Sequence, residues 1–251
     1  MNNGLQYKLI QPDKSIADFV ENFWFLHNTS NSNKEVIVVP NGRIDLSLFK
    51  AGAEPFRLFL MGLETQADQA IITPQTRVFV VSFKLLATEY IFHETVSDVV
   101  DRGKILPDGF WNLNVDDLND FDAFVKKVTQ KIQSLLPKEV DERKRKLFEL
   151  IYESNGTVPV KELSEKVFWS ARQINRYFNQ QFGVSLKTFC RILRFRASFQ
   201  HIKEGKLFPQ QNFSDQSHFI KEIKKLSGVS PKELYKNTND RFIQFSVLDK
   251  Q

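Results

Sequence analysis

The strongest constraint on this chain is an internal repeat. Gly183-Val-Ser-Leu-Lys-Thr-Phe189 recurs as Gly228-Val-Ser-Pro-Lys-Glu-Leu234, 45 residues later. At the same offset Phe168 matches Phe213, Ile174 matches Phe219, Arg176 matches Lys221 and Phe178 matches Ile223. Such a period means that one supersecondary unit is used twice. Each copy reads as a short segment, a turn, a capped helix and then Gly-Val-Ser, the outline of a helix-turn-helix. In the first copy Ser170-Ala-Arg-Gln173 has the form of a capping box and predicts a helix starting at Ala171.

The residues on these helices sort into two faces. Ile174, Tyr177 and Phe178 lie at helical spacing and are expected to pack inward. Arg172, Asn175, Arg176 and Asn179 take the other side. Arg can bond guanine O6 and N7 together, and Asn can bond adenine N6 and N7, so this face suits base-edge readout in a major groove. In the second copy Gln216, Ser217, Ile220 and Lys221 form the matching face. A polar face on one helix is most often solvated surface; comparable faces in both copies favour contact with DNA.

The segment between the copies, Ser185 to Gly205, carries two apolar stripes. One is Leu186, Phe189, Cys190, Leu193 and Ala197; the other is Ile192, Phe195, Phe199 and Ile202. A helix apolar on two sides is buried between two bodies. It is expected to act as a rod holding two reading helices apart, and about 34 Å would place them in successive major grooves. Arg191, Arg194 and Arg196 on the rod are candidates for phosphate contact, with solvated surface as the equal alternative. Ser170, Asn179 and Lys224 complete the phosphate-contact candidates.

The earlier part of the chain reads differently. Val36–Val39, Arg43–Leu48, Phe56–Met61 and Arg77–Phe83 are strand candidates, the second with clear alternation, and Pro40-Asn41-Gly42 punctuates the first pair. Several short strands with turn signals suggest an antiparallel sandwich or cupin-like barrel. Helical signals begin near Leu85. Phe121, Phe124, Val125, Val128, Ile132, Leu135 and Leu136 make one apolar stripe, expected to pack on the sheet, with a dimer seam as the second reading. Pro137 opens a charged stretch that marks a boundary.

Charge follows the same division. Residues 1–140 carry 14 Lys+Arg against 18 Asp+Glu, or −4; residues 141–251 carry 21 against 12, or +9. An acidic first part joined to a basic second part suggests different partners, and a basic surface concentrates nucleic acid through phosphate contacts. The single cysteine, Cys190, excludes an intrachain disulfide and a cysteine-cluster zinc site, and its place on the rod's apolar side predicts a buried thiol. No signal peptide or membrane span is read, so the cytoplasm is the expected compartment. No zincin, P-loop, Gly-x-Gly-x-x-Gly or Gly-x-Ser-x-Gly string occurs. Asp45, Asp98, Asp101, Asp116 and Asp117 are expected at the surface or in caps. The chain is read as a non-enzyme with no catalytic residue, metal or cofactor.

With these residues in hand, a family resemblance is clear. Residues 145–240 resemble the AraC/XylS-type DNA-binding domain. The resemblance rests on Leu163, Ser170-x-Arg172-x-Ile174-x-Arg176-x-Phe178, Gly183-Val-Ser185, Phe213-Ser-Asp-Gln-Ser-His-Phe219 and Gly228-Val-Ser-Pro231. It implies a transcription regulator with two helix-turn-helix units joined by a long helix. Carried over by position, the base readers are Arg172, Asn175 and Arg176, then Gln216, Ser217 and Lys221. One departure stands out. Lys206-Leu-Phe-Pro-Gln-Gln-Asn212 replaces the usual first helix of the second unit, and Pro209 breaks helix propagation. The N-terminal part resembles, more weakly, the sheet-rich sensor or dimerisation domains that precede such units.

The sequence therefore predicts an α+β chain. Residues 1–137 form a sheet-rich sensor or dimerisation domain, 138–144 a linker, 145–240 an all-α DNA-binding domain and 241–251 a tail. The expected function is sequence-specific binding of double-stranded DNA through helices 171–182 and about 215–227. A small-molecule effector in the first domain and a homodimer are left open. The alternative is a ligand-binding or protein-interaction module whose shortened second unit has lost DNA binding.

Overall fold

The computed structural model describes residues 4–210, 213, 215–237 and 241–247. Eight strands come first: β1 (Leu5–Ile10), β2 (Val20–Asn28), β3 (Lys34–Val38), β4 (Ile44–Lys50), β5 (Arg57–Met61), β6 (Asp68–Ile72), β7 (Arg77–Phe83) and β8 (Gly103–Ile105). Six of them make one antiparallel sheet in the order β1-β2-β7-β4-β5-β8, and β3 pairs with β6 in a second. The four strands expected from the sequence are all present. Alternation decides their faces: on β4, Ile44, Leu46 and Leu48 are buried in the main core, while Asp45 and Ser47 point to the opposite side.

Two helices belong to this part, α1 (Leu86–Tyr90) between β7 and β8 and α2 (Phe121–Leu135) after β8. Asp120 caps α2 by accepting from the Ala123 N–H at 3.0 Å. The stripe on α2 lies on the sheet. Phe121 and Phe124 set their rings 5.0 and 5.5 Å from that of Phe79 on β7, and Val128 and Ile132 are fully buried. The dimer-seam reading of this stripe is thus replaced by packing within one chain: the apolar face is already covered.

The charged stretch after Pro137 is docked. The Asp141 N–H donates to the Tyr90 hydroxyl at 3.1 Å, and α3 (Glu142–Glu153) begins at once, capped by Asp141. Lys144 pairs with Glu89 of α1. Beyond this point the chain is helical: α4 (Val160–Val167), α5 (Ala171–Phe182), α6 (Leu186–Lys203), α7 (Gln216–Ser227), α8 (Pro231–Lys236) and α9 (Ile243–Val247). Leu147, Phe148 and Ile151 of α3 and Ile174, Phe178 and Phe182 of α5 join the same buried cluster as Leu85, Ala87 and Ile91. One core therefore runs from the sheet into the first helical unit.

The two stripes of α6 go to different bodies, as their spacing predicts. Leu186, Phe189, Cys190 and Leu193 belong to the main core. Ile192, Phe195, Phe199 and Ile202 build a second core with Phe219, Ile223 and Leu226 of α7 and Leu234 of α8. Among the described residues no helix stands between Lys203 and Gln216, consistent with Pro209 breaking propagation. Asn212 and Ser214 lie outside the described residues. The missing helix is offset from the far end of the chain: Phe242 and Phe245 fill the second core together with Val39. Residues 241–247 thus form more than a tail. The Ile37 N–H donates to the Arg241 carbonyl and the Val39 N–H to Gln244 Oε1 at 2.8 Å, which ties this segment to β3.

Candidate nucleic-acid interface

The helix α5 is built as its capping box predicts. The Gln173 N–H donates to Ser170 Oγ at 3.3 Å, and the Ser170 N–H donates back to Gln173 Oε1 at 2.9 Å. Two otherwise unsatisfied donors are met, and the helix starts at Ala171. Gly183 ends it at φ +70°, a left-handed cap that glycine adopts without a Cβ penalty. Here a Cβ would also lie 2.6 Å from the Ser97 carbonyl oxygen, so the close approach itself requires glycine.

Burial on α5 divides as the pattern demands. Ile174, Phe178 and Phe182 are fully buried. Arg172 and Arg176, one turn apart, are exposed, and neither enters an ion pair among the described residues. Asn175 is half-buried and Asn179 exposed. Their side-chain amides donate to the carbonyls of Ala171 and Asn175, each at 2.9 Å. These bonds lay the two amides along the helix and leave their Oδ1 atoms as the free acceptors. Ser170 spends its hydroxyl on the cap.

The second helix presents a comparable face. Asp215 caps α7 by accepting from the His218 N–H at 2.8 Å. Gln216, Ser217, Lys221 and Lys224 are exposed, as is Ile220 at 38%. Gln216 Nε2 donates to the Leu207 carbonyl at 2.8 Å, so this side chain braces the loop that replaces the missing helix.

The arginines of α6 turn inward instead of forming a free basic strip. Arg191 Nε lies 3.5 Å from Glu222 Oε2 on α7. Arg194 donates to the Gly156 carbonyl at 2.6 Å, where the turn after α3 passes close to α6. Arg196 reaches across to Glu21 on β2. These bonds leave Arg191 and Arg194 fewer donors for phosphate than the sequence expectation assumed. Among the exposed phosphate-contact candidates, Lys224 and Asn179 remain.

The far face of α5 is held by the N-terminal part. The Tyr177 hydroxyl donates to Glu89 Oε2 at 3.1 Å, and Gln181 Nε2 donates to the Glu94 carbonyl at 2.8 Å and to Thr88 Oγ1 at 3.1 Å. Burial, together with the Glu89 charge, raises the Tyr177 pKa, so its proton stays on. Nothing in the sequence pairs Tyr177 with Glu89; they meet only through the tertiary fold.

Other residues weighed on the sequence fall as follows. Asp117 serves in the Asn114 cap and binds Lys127 at 2.8 Å, and Asp101 accepts from Thr65. Asp45 departs from its expected surface place: it is half-buried, facing the cavity behind β4, and burial pushes its carboxyl up to about 6. Cys190 is buried, and burial raises its thiol to about 11, so it is unreactive at neutral pH. Among the described residues no cluster of metal-ligating side chains occurs, and no helix is long and apolar enough to cross a membrane.

Residues 8–104, from β1 to β8, match a family described as a domain of unknown function (DUF6597). No curated protein matches the chain. Among solved structures, ToxT from Vibrio cholerae is similar at 14% identity and a TM-score of 0.45, covering 94% of this chain and 100% of that one. ToxT from Vibrio cholerae O395 bound to (E)-4-(8-methylnaphthalen-1-yl)but-3-enoic acid gives 12% and 0.45, covering 94% and 100%. ToxT from Vibrio cholerae strain SCE256 bound to an unsaturated fatty acid gives 11% and 0.43, covering 95% and 97%. These values describe a loose likeness. By its own element order the chain is an antiparallel sheet part followed by two capped-helix units on one shared long helix, the layout that the resemblance in its sequence implies.

Proposed function

We propose that this protein is a sequence-specific DNA-binding transcription regulator that reads the major groove with α5 and α7. The observation that carries the reading is the exposed pair Arg172 and Arg176 on α5, one turn apart and outside any ion pair among the described residues. Two unpaired guanidiniums on one face of a capped helix are matched to guanine edges, and Asn175 adds adenine chemistry beside them. Gln216, Ser217 and Lys221 supply the second face, with Lys224 and Asn179 on phosphates. The basic balance of residues 141–251 favours approach to a polyanion.

The loop in place of the second unit's first helix favours unequal roles: α5 contributes most of the sequence preference and α7 mainly affinity. Selection of bound duplexes from a random pool tests the reading. The expected result is a recovered motif bound with steep salt dependence. Weak binding of all duplexes, flat with salt, would replace it by the alternative of a ligand-binding or protein-interaction module.

A further inference from the structure

A cavity of about 360 Å³ lies between the sheet part and α6. Its wall is drawn from distant parts of the chain: Glu21 on β2, Arg43 before β4, Lys84 after β7, Tyr152 on α3 and Arg196 and Gln200 on α6. Three cations therefore share this space with one carboxylate. Both Glu21 oxygens are already taken, Oε2 by Arg43 at 3.0 Å and Oε1 by Arg196. The two guanidiniums hold the Glu21 carboxyl down to about 2 against the cost of its burial. Asp18, exposed and outside the lining, adds a further negative influence on Lys84.

The donors on this wall outnumber the acceptors. Arg43 is 6% exposed; its Nη1 donates to the Gly42 carbonyl at 3.1 Å and its Nη2 serves Glu21, but its buried Nε–H has no acceptor. Lys84 gives one proton to the Ala17 carbonyl at 2.7 Å, which leaves two. Burying cations without matching anions is costly, and a fixed excess of donors in a cavity is a standing demand for negative charge. Leu193 and Ala197 are the apolar members of the lining, so the space favours a hydrophilic occupant over an alkyl chain. Its volume falls within the range of about 300–1,000 Å³ common to small-molecule sites.

We propose that this cleft binds a small hydrophilic organic anion, a carboxylate or phosphate compound, held by Arg43, Lys84 and Arg196. Arg196 stands on the helix shared by both reading units, so the bound anion bridges the sheet part and the DNA-reading part directly. The site deepens the regulator reading by giving it an effector class. It is measured without DNA, so the two ideas fail separately.

The test is calorimetric titration of the full chain with succinate, with glycerol 3-phosphate and with inorganic phosphate. Ionic strength is held equal with sodium chloride, because salt screens a charge-driven contact. The expected result is saturable one-to-one binding of at least one of them with Kd below about 1 mM. The first two separate a carboxylate from a phosphate ligand. Lys84→Gln is expected to weaken it by about tenfold or more, and Glu21→Gln to tighten it by removing the internal competitor. Saturation by none of the three would overturn the proposal, and so would binding that Lys84→Gln leaves unchanged.

Discussion

Tyr177 on α5 donates its hydroxyl proton to Glu89 of α1 at 3.1 Å, across 88 positions of sequence. Glu89 also pairs with Lys144 at the start of α3. One carboxylate thus fastens both the helix that faces outward with Arg172 and Arg176 and the segment that leads into it. Tyr177→Phe removes the donor and keeps the ring. The expected cost is roughly 1.5 kcal/mol, the usual worth of a hydrogen bond to a charged group, read as a lowered urea midpoint with an unchanged slope.

Arg176→Ala is expected to cost about 1–3 kcal/mol against the preferred duplex and to relax preference at one base position. Lys224→Ala is expected instead to weaken all duplexes alike and to reduce the salt slope by about one. Binding titrations on a set of single-base variants at two salt concentrations check both. Equal weakening of every duplex by Arg176→Ala would remove it from the base readers.

Ser170→Ala removes the hydroxyl that accepts from the Gln173 N–H and leaves the backbone half of the cap on α5 in place. The expected loss is about 1 kcal/mol of stability, measured by chemical denaturation. Ser170→Asp, which keeps an acceptor and adds favourable charge at the helix N-terminus, is expected to recover most of it while weakening DNA binding by repelling phosphate.

Asp45 gives the protein an identifiable pH dependence. Its carboxyl is raised from 3.8 to about 6, chiefly by burial, with the Ser82 hydrogen bond and the Arg43 charge opposing. A raised acid favours the folded state fully below the unfolded value, and that stability is lost as pH rises through about 6. Asp45→Asn is expected to leave stability near pH 4 unchanged and to raise it by about 3 kcal/mol at pH 8. Glu64, on the same cavity and pushed up partly by Asp45, is relieved in the same variant. Melting curves from pH 4 to 8 check the sign.

Much of the helical half was legible because its signals are local. A capping box needs four adjacent residues, so Ser170 and Gln173 announce the start of α5 by themselves. The two stripes of α6 are likewise a matter of spacing along one element. The strand β2 was missed because Glu21 and Asn22 interrupt its apolar run without clean alternation, whereas Leu5 to Leu9 of β1 alternate and were open to the same reading as β4. Asp45 could not be placed from sequence, since an alternating strand does not say whether its polar face meets solvent or a cavity. The Glu21–Arg43–Arg196 cluster spans 175 positions and leaves no local trace. Arg196 read as a surface basic residue because its partner comes from β2. Residues 241–247 read as a tail because a helix of five residues carries too little periodicity to announce itself.

The double allegiance of α6 has a consequence for how the protein can be handled and how it can change. Because one edge of this helix completes the sheet-bearing core and the other completes the core under α7, no cut in the chain separates the sheet part from the helical part without baring apolar surface on both pieces. Fragments starting near residue 145 would open the buried cluster that Phe148, Phe178 and Phe182 share with Leu85 and Ala87. Substitutions on either edge of that helix are felt in both cores.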